Sequence, residues 1–333
     1  MPVTLTDVFN SDTFKVTTLT DSLTKLPFKP SRIGAMGLFQ ASGIPTTTLV
    51  VEERDGQLVL IPTQPRGAPS NKLAKTKRRA RSFQVVHLPL EDTVLADDVL
   101  NVRAFGSDQP MAGVNQVVND RLMVMRQSHE VTLEYQRLGA VKGVIVDADG
   151  ATEIYDLFAE FDIAAPTIDF LLDVDTTSVR QRIIALKRLM EAAMGASMYD
   201  HIHAFCGADW FDALIDHPSV YDAYERFRDG EALRNDPRKG FEFAGITFEE
   251  YPGTVSGTKF VADNKAHFFP VGVPGLFVTK FGPADFMEAV GTVGQALYAK
   301  SMLLPLDKGI LLHTQSNPIS LCTRPEVLYT ATE

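Results

Sequence analysis

Residues 113–150 read GVNQVVNDRLMVMRQSHEVTLEYQRLGAVKGVIVDADG. No proline or glycine falls between Val114 and Leu138, and apolar residues recur at Val114, Val117, Val118, Leu122, Met125, Val131, Tyr135 and Leu138. That three-and-four spacing is the signature of a one-sided helix. Over residues 113–140, at about 1.5 Å rise per residue, it makes a rod on the order of 40 Å long. Asn115, Asp120, Arg121, Arg126, Gln127, Glu130, Glu134 and Arg137 supply the polar surface, and Glu134 and Arg137 stand three apart, where opposite charges weakly support a helix. Gly139 and Gly143 are expected to end the rod. Beyond them, residues 144–146 and 152–155 flank Asp147-Ala148-Asp149-Gly150, a hairpin signal.

The rest of the chain bounds what this helix belongs to. At 333 residues the chain suffices for one large domain or two moderate ones. Lys and Arg number 32 against 42 Asp and Glu, a formal net charge of −10, which argues against a surface built throughout to grip nucleic acid. The two cysteines, Cys206 and Cys322, are far apart and form no disulfide framework, as in a reducing compartment. The start, MPVTLTDVFN, has no basic region leading into an apolar core, so no secretory signal is expected. No window approaches eighteen uninterrupted apolar residues, so no membrane-spanning helix and no membrane partner are expected.

Upstream, residues 1–45 are broken by Pro27, Pro30, Pro45 and several glycines and read as an arm laid along something else. Residues 46–54 and 57–63 have strand character around the Asp55-Gly56 turn pair. Lys72, Lys75, Lys77, Arg78, Arg79 and Arg81 then crowd ten positions with no acid among them, and alternation resumes over 81–88 until Pro89. Residues 57–89 are thus expected to be a long two-armed hairpin with a cationic tip. An isolated two-stranded ribbon is marginal in water, so its partner surface is expected on another molecule; a loose basic insertion is the alternative. Residues 91–112, with Glu91, Asp92, Asp97 and Asp98, read either as an acidic mate for that tip on a neighbouring copy or as a solvated linker.

Downstream, residues 179–194 make a second strong helix with Ile183, Leu186, Leu189, Met190 and Ala193 as its buried face, and 216–227 a third. From 241 onward short β-like runs dominate. Helix and strand without regular alternation point to an α+β fold.

Most candidate chemistry fails on spacing. Residues 253–259, GTVSGTK, have glycines but not the phosphate-loop pattern and read as a hairpin turn. No Gly-x-Ser-x-Gly elbow occurs. His201, His203 and Cys206, with Asp200, Asp209 and His217 nearby, form the best metal-like cluster. On a strand the two histidines would share a face, but no second ligand pair follows at a diagnostic spacing, so a structural role is expected. Glu249-Glu250 and Glu130/Glu134 are the paired carboxylates, and nothing local places a pocket around them. No catalytic residue, metal or cofactor is expected.

The order of these parts resembles the Hong Kong 97-type capsid fold, and the chain is similar to tailed-phage major capsid proteins of the lambda-type head protein family. The resemblance is carried by Thr46-Thr47-Thr48 through Glu52-Glu53-Arg54, Leu60-Ile61-Pro62-Thr63, Arg66-Gly67-Ala68-Pro69, Lys77-Arg78-Arg79-Ala80-Arg81-Ser82-Phe83, Leu95-Ala96-Asp97-Asp98, Val102-Arg103-Ala104-Phe105-Gly106, Glu134-Tyr135-Gln136-Arg137-Leu138-Gly139-Ala140, Asp147-Ala148-Asp149-Gly150, residues 241–251, Pro283-Ala284-Asp285 with Glu288, and residues 300–329. It covers nearly the whole chain.

The resemblance implies an N-terminal arm (1–45), an extended loop overlying a neighbouring subunit (46–90), a peripheral domain with a spine helix near 113–140 (91–178), an axial domain meeting its copies at five- and six-fold axes (179–315), and a return to the peripheral domain (316–333). It implies a shell of hexamers and pentamers around packaged double-stranded DNA, contacted without sequence specificity on the inner face. A portal and a separate scaffolding protein are the implied partners, with or without a decoration protein. Covalent cross-linking known in a relative needs a Lys–Asn pair with a catalytic acid; Lys72 and Lys75 sit in the right loop, but no such trio is identified. The candidate inter-subunit contacts are Lys72, Lys75, Lys77, Arg78, Arg79, Arg81, Asp97 and Asp98. An encapsulin-like nanocompartment shell and, more remotely, a soluble metal-dependent enzyme using His201, His203 and Cys206 are the rival readings.

Overall fold

The computed structural model describes residue 20 and residues 31–54, 78–100, 110–195, 197–226, 236–255 and 257–332. Most of the arm and the expected second strand at 57–63 lie outside these. In chain order, α1 is Arg32–Met36, β1 Gln40–Gly43, β2 Thr48–Arg54, β3 Arg78–Gln84, β4 Leu88–Leu95, α2 Ala96–Leu100 and α3 Pro110–Lys142. Then come β5 Val144–Val146, β6 Glu153–Asp156, α4 Leu157–Glu160, β7 Thr167–Asp169, α5 Val179–Met194, β8 His201–Cys206, α6 Ala208–Asp216 and α7 Pro218–Arg226. The chain ends in β9 Phe241–Phe243, β10 Ile246–Glu250, β11 Thr254–Val255, β12 Thr258–Lys259, β13 Lys265–Val271, β14 Phe277–Phe281, β15 Tyr298–Leu303, β16 Gly309–Ser316, β17 Pro318–Cys322 and β18 Tyr329–Thr332. The architecture is α+β.

Two compact units are each assembled from three stretches: Met1–Leu49, Ser82–Tyr135 and Thr279–Ser320 in one; Val50–Arg81, Gln136–Val278 and Leu321–Glu333 in the other. In the first, strands β15, β16 and β4 form an antiparallel sheet with β4 at its edge. One face carries Val94, Ile310, Leu312 and Ala299 onto Val118, Leu122 and Met125 of α3. Residues 88–95 are therefore a paired strand, not the linker that their acids suggested. Pro89, expected to end a strand, lies inside β4 opposite Gln315, which an edge strand tolerates because proline donates no ladder hydrogen bond.

The second unit is built on a six-stranded sheet in the order β7-β18-β13-β8-β10-β9. It is mixed: β10 runs parallel to β8 and β18 parallel to β7, and the other pairs are antiparallel. Its core is aromatic. Phe170 stacks on Phe268 at 5.4 Å between ring centroids and meets the edge of Trp210 at 5.5 Å, and all three rings are fully buried. Helix α5 buries Val179, Ile183, Leu186, Met190 and Met194. Leu189, expected on that face, is 48 % exposed.

The long helix passes its expected end. Gly139 sits inside α3 because the following strand packs against it: a Cβ there would lie 2.9 Å from the Ile145 Cα. Gly143 is the true stop, with φ +88, a left-handed conformation that glycine adopts without steric cost. The start lies at Pro110, the helix position where a missing N–H costs nothing. The hairpin after it forms as read, β5 pairing antiparallel with β6.

Candidate inter-subunit surface

Strands β2 and β3 form a two-stranded sheet of their own. Lys72, Lys75 and Lys77 lie outside the described residues, and Arg78 and Arg79 are seen as backbone of β3. Arg81 is seated within its own chain. Its Nη2 lies 3.1 Å from Asp162 Oδ2, and its guanidinium carbon stands 5.0 Å from the centroid of the Phe161 ring. Asp162 holds a left-handed backbone, φ +56, just past α4.

Three of the four acids of 91–98 have partners in their own unit. Glu91 Oε1 is 3.0 Å from His313 Nδ1, Asp92 lies 3.5 Å from the Arg121 guanidinium, and Asp98 accepts the Leu95 N–H at 3.1 Å. Asp97 is exposed in the first turn of α2.

The metal-like cluster does not gather. His201 is exposed at the start of β8, while His203 is buried with Nε2 3.1 Å from Glu249 Oε2 across the parallel β8–β10 pair. Cys206 is fully buried, and burial pushes its thiol well above the ordinary range, where it makes a poor ligand or nucleophile. Among the described residues no three His, Cys, Asp or Glu side chains converge. Glu134 is buried and given over to Ser31 and Ile33, so it is not half of a solvated carboxylate pair. The glycines of 253–259 make the turn between β11 and β12, as their spacing suggested.

An apolar surface in the first unit escaped the sequence reading. In the segment between β14 and β15, Met287, Val290 and Val293 are 89 %, 72 % and 61 % exposed. The segment is nonetheless held in shape. Thr292 donates its N–H and hydroxyl to the Ala289 carbonyl, Tyr298 accepts the Gln295 N–H, and Gly294 donates to Ile44. At the β15–β16 turn Leu306 is 84 % exposed and held at φ +66. The sequence signal available was Gly291 and Gly294 beside them, residues that interrupt regular helix.

A two-stranded ribbon, one long helix against a small sheet, and a second unit on a mixed sheet together define a Hong Kong 97-type capsid fold. Solved structures share it. The protein of an Escherichia coli CFT073 prophage assigned as its capsid protein superposes with a TM-score of 0.60 at 15 % identity, over 95 % of this chain and 98 % of that one. The mature capsid of bacteriophage PhiM1 gives 0.51 at 10 % identity, over 92 % and 88 %. The family model for phage major capsid protein E matches residues 15–333, and the chain belongs to that family. The major capsid protein of Pseudomonas phage KPP10 is 26 % identical over 336 residues, covering 95 % of each chain. The protein is a structural component of a tailed-phage head, part of the virion.

Proposed function

We propose that the chain closes an icosahedral shell of hexamers and pentamers around double-stranded DNA by leaving surfaces that only neighbouring copies complete. What supports this is the β2–β3 pair, which has no third strand among the described residues and is joined in the sequence by the cationic run, since a two-stranded ribbon is marginal without a further packing surface. Residues 46–90 are the extended loop overlying a neighbour, 1–45 the arm, and 91–178 with 316–333 the peripheral domain with α3 as its spine. Residues 179–315 are the axial domain. Lys72, Lys75, Lys77, Arg78 and Arg79 meet carboxylates of an adjacent copy. The protein works without catalysis or cofactor, assembles in the host cytoplasm, and takes scaffolding and portal proteins as partners.

Electron microscopy of the purified chain tests the shell. Assembly yield at rising salt, compared between the wild type and a chain with the run reversed to glutamate, tests the ribbon, since salt screens exposed charge beyond about 8–10 Å. Falling yield in the wild type and failure of the reversed chain are expected; equal yields throughout would refute it.

A further inference from the structure

We infer that the seat of the cationic ribbon is the acidic face of residues 147–162 on a second copy of this chain, an inference resting on the inter-subunit role just proposed for the ribbon. Charge complementarity along the sequence is nearly complete. From residue 56 to 90 there is no acid, and seven Lys and Arg stand between 66 and 81. From 143 to 178 there is no Lys, Arg or His, and six acids stand between 147 and 162. Of those six, Asp147, Asp149, Glu153, Glu160 and Asp162 are exposed.

The face is built, not loose. The Leu157 N–H donates to Gly143 O at 2.8 Å, and a Cβ on Gly143 would overlap the Phe158 ring, so α4 lies hard against the end of α3. Asp156 caps α4 by accepting the Phe158 and Ala159 N–H groups. Asp149 closes the β5–β6 turn by accepting from Ala151 and Thr152, which holds its carboxyl below the usual range.

A residue of the run already shows the mode of contact. Arg81, the last of the seven, lies on this face with its guanidinium over Phe161 and its Nη2 on Asp162. Of the acids of 91–98, the other candidate, Glu91, Asp92 and Asp98 have partners in their own unit. Every copy carries both a run and a face, so a ring of copies can set each run against the next copy's face head to tail, a heterologous interface that closes by rotation.

Four preparations of the full chain test this by shell yield in the electron microscope: Lys72→Glu/Lys75→Glu/Lys77→Glu, Glu153→Lys/Glu160→Lys, both sets in one chain, and the first two chains mixed. Each set alone is expected to cut yield at least about tenfold; the combined chain recovers shells, and the mixture recovers six-membered rings, in which the two chains can alternate. Wild-type yield from the face variant while the ribbon variant fails would overturn this placement and leave the ribbon's inter-subunit role standing. Wild-type yield from the ribbon variant would instead overturn that role. Recovery in the combined chain with no six-membered rings from the mixture would put the run on its own copy and overturn the second-copy assignment. Should the face variant lose its native circular dichroism, Glu153→Gln/Glu160→Gln replaces it; shells that dissolve at lower salt than wild type are expected, and unchanged salt tolerance would overturn the proposal.

Discussion

Glu134, three quarters of the way along the long helix, accepts the backbone N–H of Ile33 at 2.7 Å and the hydroxyl of Ser31 at 2.6 Å. Ser31 is the N-cap residue of α1, yet its own side chain makes no cap bond to that helix. The orphan donor of the short helix is satisfied instead by a carboxylate about a hundred residues away. Glu134→Ala should therefore leave the buried Ile33 N–H and the half-buried Ser31 hydroxyl without this acceptor and lower stability by about 2 kcal/mol. Glu134→Gln, which keeps one acceptor oxygen, should cost less. Denaturant titration of the purified chains reads both, and equal losses would show that the acceptor oxygen glutamine retains adds nothing.

Acid should loosen both units. Burial, and secondarily His313, lowers His129 from 6.5 to about 4, and burial followed by Lys142 and Lys265 lowers His267 to about 3. His129 Nε2 bonds the Thr314 hydroxyl at 3.0 Å, and His267 Nδ1 bonds the Thr330 hydroxyl at 3.1 Å. The unfolded chain binds these protons more readily, so the stabilisation is complete above about pH 6.5. It is lost as pH falls towards 4 for His129, on the order of 3 kcal/mol, and towards 3 for His267, on the order of 5 kcal/mol. Denaturation midpoints measured from pH 7 to 4 should fall less steeply in His129→Gln than in the wild type; parallel curves would rule His129 out.

Three glycines should rank by their surroundings. A Cβ at Gly37, φ +63, meets nothing within 4 Å, so Gly37→Ala should cost only backbone strain, about 1 kcal/mol. At Gly143, φ +88, the same atom would lie 2.2 Å from a Phe158 ring carbon, so Gly143→Ala should cost about 3 kcal/mol or more. Gly139 keeps an ordinary helical backbone and should fall between them. Thermal unfolding of the three variants gives the order directly.

Leu306 is the converse case, a large apolar side chain held at a left-handed turn and exposed to solvent. Leu306→Gly should stabilise the unassembled chain by about 1 kcal/mol, because it relieves that strain and removes no buried contact. A drop in stability in the same titration would mean that the side chain packs within its own chain.

What the sequence by itself determined is what short-range pattern encodes. Residues 179–194 form a helix between the predicted ends, and 144–155 a hairpin, because apolar spacing and turn residues act within a few positions of one another. The acidic face at 147–162 was equally open to reading as composition. What only the tertiary structure decided is which distant partners meet. Residues 88–95 are a strand because 309–316 lie beside them, and Gly139 stays helical because Ile145 packs on it. Glu134 caps a helix and His203 faces Glu249 through separations that no local period records. Long-range pairing is set by which complementary surfaces remain once the local elements exist, and side chains of one type, such as Glu91 and Glu134, part company only at that stage.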